Sequence, residues 1–339
     1  MDQIVGRASG KLLLFGEHAA VYGHPALGCG LSKTCSVTLI PEPQSTDLRL
    51  PYLEELAPEA SQELVTTMKR LVPGFTLPGG TFHVESDIPV SAGMGSSAAL
   101  CGALSQILLS LAGEDHPGLL SLLPETEHLE GWSPEERRFH LLWYIANELE
   151  HVFHGTPSGI DTALALSQGT LALFPRPRQL PDVLPLADPG LPLLIGALPR
   201  QSSTKQLVSS IRSAMIKEDP DTEEAMEHLG DCAHRAIQLL ETPTPWDQWT
   251  AASRVTLGQT MNRAHQILSS LGLSTAQVDQ ILTKAETMGA LGSKLSGAGG
   301  GGTFIILARD KESAADIAGG LNDYARQSGI DLLTPLTLI

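Results

Sequence analysis

The sequence predicts two domains, each mixing β-strands with α-helices. Three observations support this. The 339 residues exceed what one small core needs. Short apolar runs and segments of helical period share the whole length. A proline-rich stretch over 175–192 interrupts the pattern. The boundary is placed in that stretch, giving a first domain over 1–185 and a second over 186–339.

Composition excludes several classes. The chain is 42% hydrophobic and 18% charged, as a folded soluble protein is. Its net charge of −16, with no basic stripe, argues against nucleic acid. An anionic ligand would have to be drawn in locally, by lysines and backbone N–H groups. Cys29, Cys35, Cys101 and Cys232 form no C-x-x-C pair, so structural zinc and a disulfide framework are not expected. Reduced thiols point to a cytoplasmic location. "MDQIVGRASGK" has no apolar signal core, and no run is long enough to cross a bilayer, so no membrane partner is expected.

The elements follow in order. Residues 4–40 read as extended, with "KLLLF" at 11–15 and "CSVTLI" at 35–40. Residues 41–52 read as a surface loop, 57–72 as a helix, and 81–90 as a strand ending at Pro89. From Ser96, a helix carries Leu100, Leu104, Ile107, Leu108 and Leu111 at helical spacing. Residues 112–134 are loop-like. Ser133, Pro134, two glutamates and Gly155 punctuate the next helix. "GTLALF" at 169–174 is a strand. In the second half, strands are expected at 191–198 and 303–308, with helices near 203–216, 222–240, 248–271, 275–288 and 311–327.

"PVSAGMGSSAAL" at 89–100 is the first candidate site. Gly93-x-Gly95-x-x-Ala98 fits a dinucleotide fingerprint, but the loop does not open the chain's first strand–helix–strand unit. Glu114 and Asp115 also fall in a loop rather than at a strand end. A phosphate reading fits better. Glycines admit a close backbone, a helix N-terminus attracts anions, and a serine hydroxyl can hold Mg²⁺. The Walker and protein-kinase motifs are absent, so phosphoryl transfer would use another scaffold. The plain alternative is a serine-capped helix.

"FHLLWYIANELEHVFHG" carries the second. At 100° per residue, Phe139, Leu142, Trp143, Ala146, Leu149 and Phe153 form one side. Glu150 falls inside that stripe and Glu148 opposite it. A carboxylate on a core face needs a partner, a proton or a metal. His151 and His154 read as capping or surface residues, since a di-metal motif would need a second copy. Beyond the helix, "TPSGIDTALAL" delivers Asp161, which can cap a helix or accept a hydroxyl proton. Lys11 is the candidate cation for it.

"ASGKLLLFGEHAAVYG", "PVSAGMGSSAAL", "HGTPSGID" and "KLSGAGGGGTF", in this order, resemble the GHMP kinase superfamily and, within it, the mevalonate kinase branch. The resemblance spans nearly the whole chain. It implies a two-domain α+β fold: an N-terminal domain like ribosomal protein S5 domain 2, a ferredoxin-like C-terminal domain with the Gly-rich motif 295–302, and an active site in the cleft between. It implies ATP as co-substrate, Mg²⁺, and mevalonate as the alcohol. By position, Asp161 would be the base and Lys11 the cation beside it. Gly93, Met94, Gly95, Ser96 and Ser97 would cradle phosphates, and Ser97 and Glu150 would be the Mg²⁺ ligands. Glu17, His18, Thr204, Ser296, Gly297 and Ala298 would lie on the substrate side. A homodimer is left open. Ser9, Ser91 and Met94 depart from the commoner Pro, Gly and Leu of the family. The alternatives are a related small-molecule kinase of the same superfamily with a different alcohol acceptor and, from another class, a non-catalytic metabolite sensor on the same scaffold.

Overall fold

The computed structural model describes residues 3–42, 44–90, 92–123, 132–167, 169–177 and 179–338. Ser91 and part of the 112–134 loop lie outside them. The chain forms two compact units, each assembled from separated stretches. The first comprises Met1–Lys11, Gly30–Ile88 and Gly95–Gln168; the second comprises Leu12–Cys29, Pro89–Met94 and Gly169–Ile339.

Two long strands, β1 (Ile4–Phe15) and β2 (Ala26–Pro41), run through both units. In the first unit they are joined by β3 (Leu48–Arg49), α1 (Pro51–Leu56), α2 (Pro58–Leu71), β4 (Gly80–Ser86), α3 (Ser96–Ala112), α4 (Pro117–Leu120), α5 (Pro134–His154) and α6 (Ile160–Leu166). β2 and β4 pair antiparallel with Leu39 opposite Phe82, both buried, and β3 adds a short parallel edge. Helices α3, α5 and α6 pack on one another. α3 holds β1 at close range: a Cβ on Gly6 would collide with the Ala103 carbonyl. That glycine lets β1 lie against the helix, with Lys11 arriving at its first turn.

α5 forms where its punctuation places it. Ser133 Oγ accepts from the Glu136 N–H at 3.2 Å, and Glu136 Oε2 accepts from the Ser133 N–H at 2.7 Å. This capping box satisfies two otherwise orphaned donors, and Gly155 ends the helix. The buried face is displaced from the predicted stripe: Leu141 and Ile145 join Trp143, Ala146, Leu149 and Glu150, whereas Phe139, Leu142 and Phe153 are only half-buried.

The second unit contains β5 (Thr170–Arg176), β6 (Gln179–Leu186), β7 (Leu193–Leu198), α7 (Thr204–Ile216), α8 (Pro220–Leu240), α9 (Ala251–Ser270), α10 (Ala276–Thr287), β8 (Gly292–Leu295), β9 (Gly302–Leu307), α11 (Lys311–Gln327) and β10 (Thr334–Leu338). β5 pairs with β6 and with Ala26–Cys29 of β2. The other sheet runs β10-β7-β9-β8. With helices between β7 and β8 and between β9 and β10, it is the ferredoxin-like βαββαβ order. β7 and β9 are buried along their whole length. All four cysteines are free, and among the described residues no helix is long and apolar enough to cross a membrane.

Ser133→Ala should remove the cap of α5 and cost about 1 kcal/mol of unfolding free energy. Denaturant melts check this.

Candidate active site

Three of the predicted site residues meet at the start of α3. The N-cap of that helix is Gly95, at φ 77°, and no side chain caps it. The serine-capped reading therefore fails. Ser96 and Ser97 occupy the first two helical positions, and the first helical bond runs from the Ala99 N–H to the Gly95 carbonyl. The N–H groups of Ser96, Ser97 and Ala98 thus lie outside the helix's own ladder, at its electropositive end. A Cβ on Gly95 would stand 2.5 Å from Lys11 Cγ. The bare glycine is what lets the lysine stem cross the helix entrance.

Lys11 is buried, and its Nζ lies 2.9 Å from Asp161 Oδ1. Asp161 sits in the first turn of α6 with its side chain 42% exposed, so one carboxylate holds the ammonium and still faces solvent. Ser9, where the family often has proline, donates its hydroxyl to the Ala165 carbonyl at 3.0 Å and so ties β1 to the end of α6.

Glu150 is buried, as its place in the apolar stripe required. Its Oε1 accepts from Ser97 Oγ at 2.8 Å and lies 3.1 Å from His154 Nε2. Its Oε2 accepts from no N–H or O–H group among the described residues, and the Cys101 thiol is the carboxylate's remaining polar neighbour. The hydrogen bond to Glu150 raises His154 above the ordinary histidine range. Burial, then the Glu150 charge, pushes the Cys101 thiol well up, so it stays protonated. Glu148 pairs with Arg70 at 3.2 Å, and His151 Nδ1 lies 2.6 Å from the Gly155 carbonyl as a cap.

A buried carboxylate whose second oxygen takes no N–H or O–H donor, with a serine hydroxyl on the first, offers hard oxygen donors of the kind Mg²⁺ takes. Among the described residues no group of three or more His, Cys, Asp or Glu could hold a metal. Two donors, Ser97 and Glu150, would suit an ion that keeps water or phosphate in its remaining positions, as Mg²⁺ usually does.

The second unit assembles the other predicted residues. His18 adopts φ 57°, a left-handed backbone uncommon for a non-glycine residue. Its Nε2 lies 3.1 Å from the Ala298 carbonyl, and burial holds the ring below the usual histidine pKa. It is therefore neutral at pH 7, with Nε2–H donating. Ser296 Oγ donates to the Leu13 carbonyl at 2.7 Å. Glu17 is buried and ion-paired with Lys294 of β8, which is itself fully buried and donates to the Leu295 carbonyl at 2.7 Å. Thr204 opens α7, and its hydroxyl accepts from Arg200. Arg200 Nη2 lies 2.8 Å from where a Cβ on Gly93 would be, and Met94 is buried.

Arg200 and Lys294 are the residues the sequence reading missed, and His154, expected as a capping or surface residue, instead contacts Glu150 and Ser97. His154 belongs to the same "HGTPSGID" stretch that delivers Asp161. Lys294 directly precedes the glycine-rich motif. Arg200 stands four residues before Thr204, and nothing in the local pattern distinguishes it.

Residues 61–169 match the GHMP kinases N terminal domain family, and residues 251–327 match the GHMP kinases C terminal family. The chain belongs to the GHMP kinases. A mevalonate kinase of Thermococcus gammatolerans is 28% identical over 94% of this chain and 94% of its own. The crystal structure of L. major mevalonate kinase in complex with R-mevalonate has TM-score 0.73 and 22% identity, covering 100% of this chain and 95% of that one. Streptococcus pneumoniae phosphomevalonate kinase, in complex with phosphomevalonate and AMPPNP, has TM-score 0.71 and 17% identity over 99% of this chain and 100% of that one. These structural likenesses define the fold.

Gly95→Ala should displace Lys11 and strain the helix entrance. Because small misplacements of catalytic groups are costly, kcat should fall roughly 10²-fold while the cooperative melt persists. Steady-state kinetics beside a melting curve checks this.

Proposed function

We propose that this chain transfers the γ-phosphoryl group of ATP to the 5-hydroxyl of mevalonate, giving mevalonate 5-phosphate and ADP. The observation that carries the reading is the Lys11–Asp161 pair beside an uncapped helix N-terminus and the Ser97–Glu150 pair. The near-full-length likeness to mevalonate kinases supports the choice of alcohol.

Each group has work suited to its chemistry. The loop at Gly93–Ser97 and the free N–H groups of α3 bind the phosphates. Ser97 and Glu150 would hold Mg²⁺, which neutralises phosphate charge when bound. Asp161 accepts the proton of the attacking hydroxyl. Lys11 orients the carboxylate through their 2.9 Å contact, and its charge favours the γ-phosphate nearby. As the new O–P bond forms, the bond to the ADP oxygen breaks and the hydroxyl proton passes to Asp161. In a loose transition state, alignment and charge neutralisation are most of what the protein supplies. Glu17, His18, Thr204 and Ser296–Ala298 are assigned to the alcohol. Neutral His18 spends its proton on Ala298, which fixes the ring rather than making it an acid.

Coupled ADP detection over mevalonate, phosphomevalonate, homoserine and galactose tests the acceptor. Mg²⁺-dependent turnover is expected with mevalonate, whereas turnover of another alcohol alone would reassign it. Asp161→Asn should lower kcat by about 10³-fold, within the usual range for a lost general base, and leave the fold intact. A near-normal kcat would remove its assigned role.

A further inference from the structure

Strand β8 is at an edge of its sheet: β9 pairs with one side only. An edge strand presents backbone N–H groups that need partners. Helix α9 supplies them from side chains. Asn262 Oδ1 accepts from the Ser293 N–H at 2.7 Å, and His265 Nδ1 accepts from the Leu295 N–H at 3.4 Å. Residues 262 and 265 lie three apart on one helix face, and 293 and 295 two apart on one strand edge. One turn of α9 thus takes the place of a missing strand.

The Leu295 peptide is held from both ends. Its N–H goes to His265 and its carbonyl accepts from Lys294 Nζ. The next three residues are Ser296, Gly297 and Ala298. A shift at Leu295 would move the Ser296 hydroxyl on Leu13 and the Ala298 carbonyl that fixes His18.

His265 can accept at Nδ1 only if its proton is on Nε2. Asp279 of α10 sets this: its Oδ1 is 3.0 Å from His265 Nε2 and also accepts from Ser274 Oγ at 2.5 Å. The charged groups acting on the ring, among the described residues, are Asp279 and Lys294; α8, also packed on α9, contributes none. Burial holds the ring below the ordinary histidine range, against the pull of Asp279.

We propose that His265 is a positioning residue of the phosphotransfer reaction: locked as the Nε2–H tautomer by Asp279, it holds the Leu295 peptide and thereby sets where Ser296, Gly297 and Ala298 meet the alcohol. This rests on the assignment of those three residues to the acceptor. His265 touches no reacting atom in this account; it acts through one backbone N–H.

The test compares His265→Leu with His265→Asn, using whichever alcohol the wild-type enzyme turns over best. A wrong acceptor assignment then shows in the wild type alone. Asn can return an acceptor to the Nδ1 position, whereas Leu cannot. The loss of one hydrogen bond predicts a three- to tenfold rise in KM for the alcohol in His265→Leu, with KM for ATP within about twofold of wild type. His265→Asn should recover most of that loss at equal or lower melting temperature. Asp279→Ala, at a half-exposed position, covers the case in which His265→Leu does not fold; the same rise, but smaller, is expected. Nitrogen-15 correlation spectra of the wild-type ring should show Nε2–H at pH 7. Unchanged alcohol KM in the folded variants, equal loss in the Leu and Asn variants, or an Nδ1–H tautomer would overturn the proposal.

Discussion

One contact organises the first unit: the Lys11 ammonium on the Asp161 carboxylate, reached across a glycine. β1 can carry the lysine to that place only because Gly6 lets the strand lie on α3 and Gly95 leaves the helix entrance bare. The same glycine at the N-cap leaves the first N–H groups of α3 without a side-chain partner. Positive charge and free donors are therefore produced at one place by the backbone geometry itself. A side chain at that N-cap would be strained at φ 77° and would run into the Lys11 stem.

Buried charge is spent in two different ways. Glu150 is buried with one oxygen engaged by Ser97 and His154 and the other met by no N–H or O–H donor among the described residues. Such a group is costly on its own, and a cation offsets that cost. Lys294 and Glu17 are buried as a closed pair, with the Leu295 carbonyl as a further acceptor for the ammonium. A buried pair of this kind is weak evidence of stability. Its use here is geometric: it joins the Glu17–His18 turn to the strand that leads into the glycine-rich motif.

Much of the fold was legible where local chemistry decides. α5 begins and ends at its punctuation because Ser133, Glu136 and Gly155 each act within one turn. Glu150 was legible from helical phase alone. The sequence left a serine cap on α3 open as the plain alternative because Ser96 and Ser97 look like caps, and only the backbone shows that Gly95 precedes them as the N-cap. β6 was hidden by Pro181 and Pro185, which an edge strand tolerates. β8 is only "GSKL", too short for a periodic signal. Lys294 gave no warning of its role, since a partner as distant in sequence as Glu17 has no signature in its own segment, whereas His154 and Arg200 meet partners four residues away, Glu150 and Thr204, a spacing the sequence carried.

The central claim is that Lys11 and Asp161 act as a unit. The direct test is a double-mutant cycle on kcat with Lys11→Met, Asp161→Asn and the pair together. Groups that work only together are strongly non-additive. The account predicts that the double variant is about as slow as the slower single one. Losses that simply multiply would show that each acts alone and would contradict it.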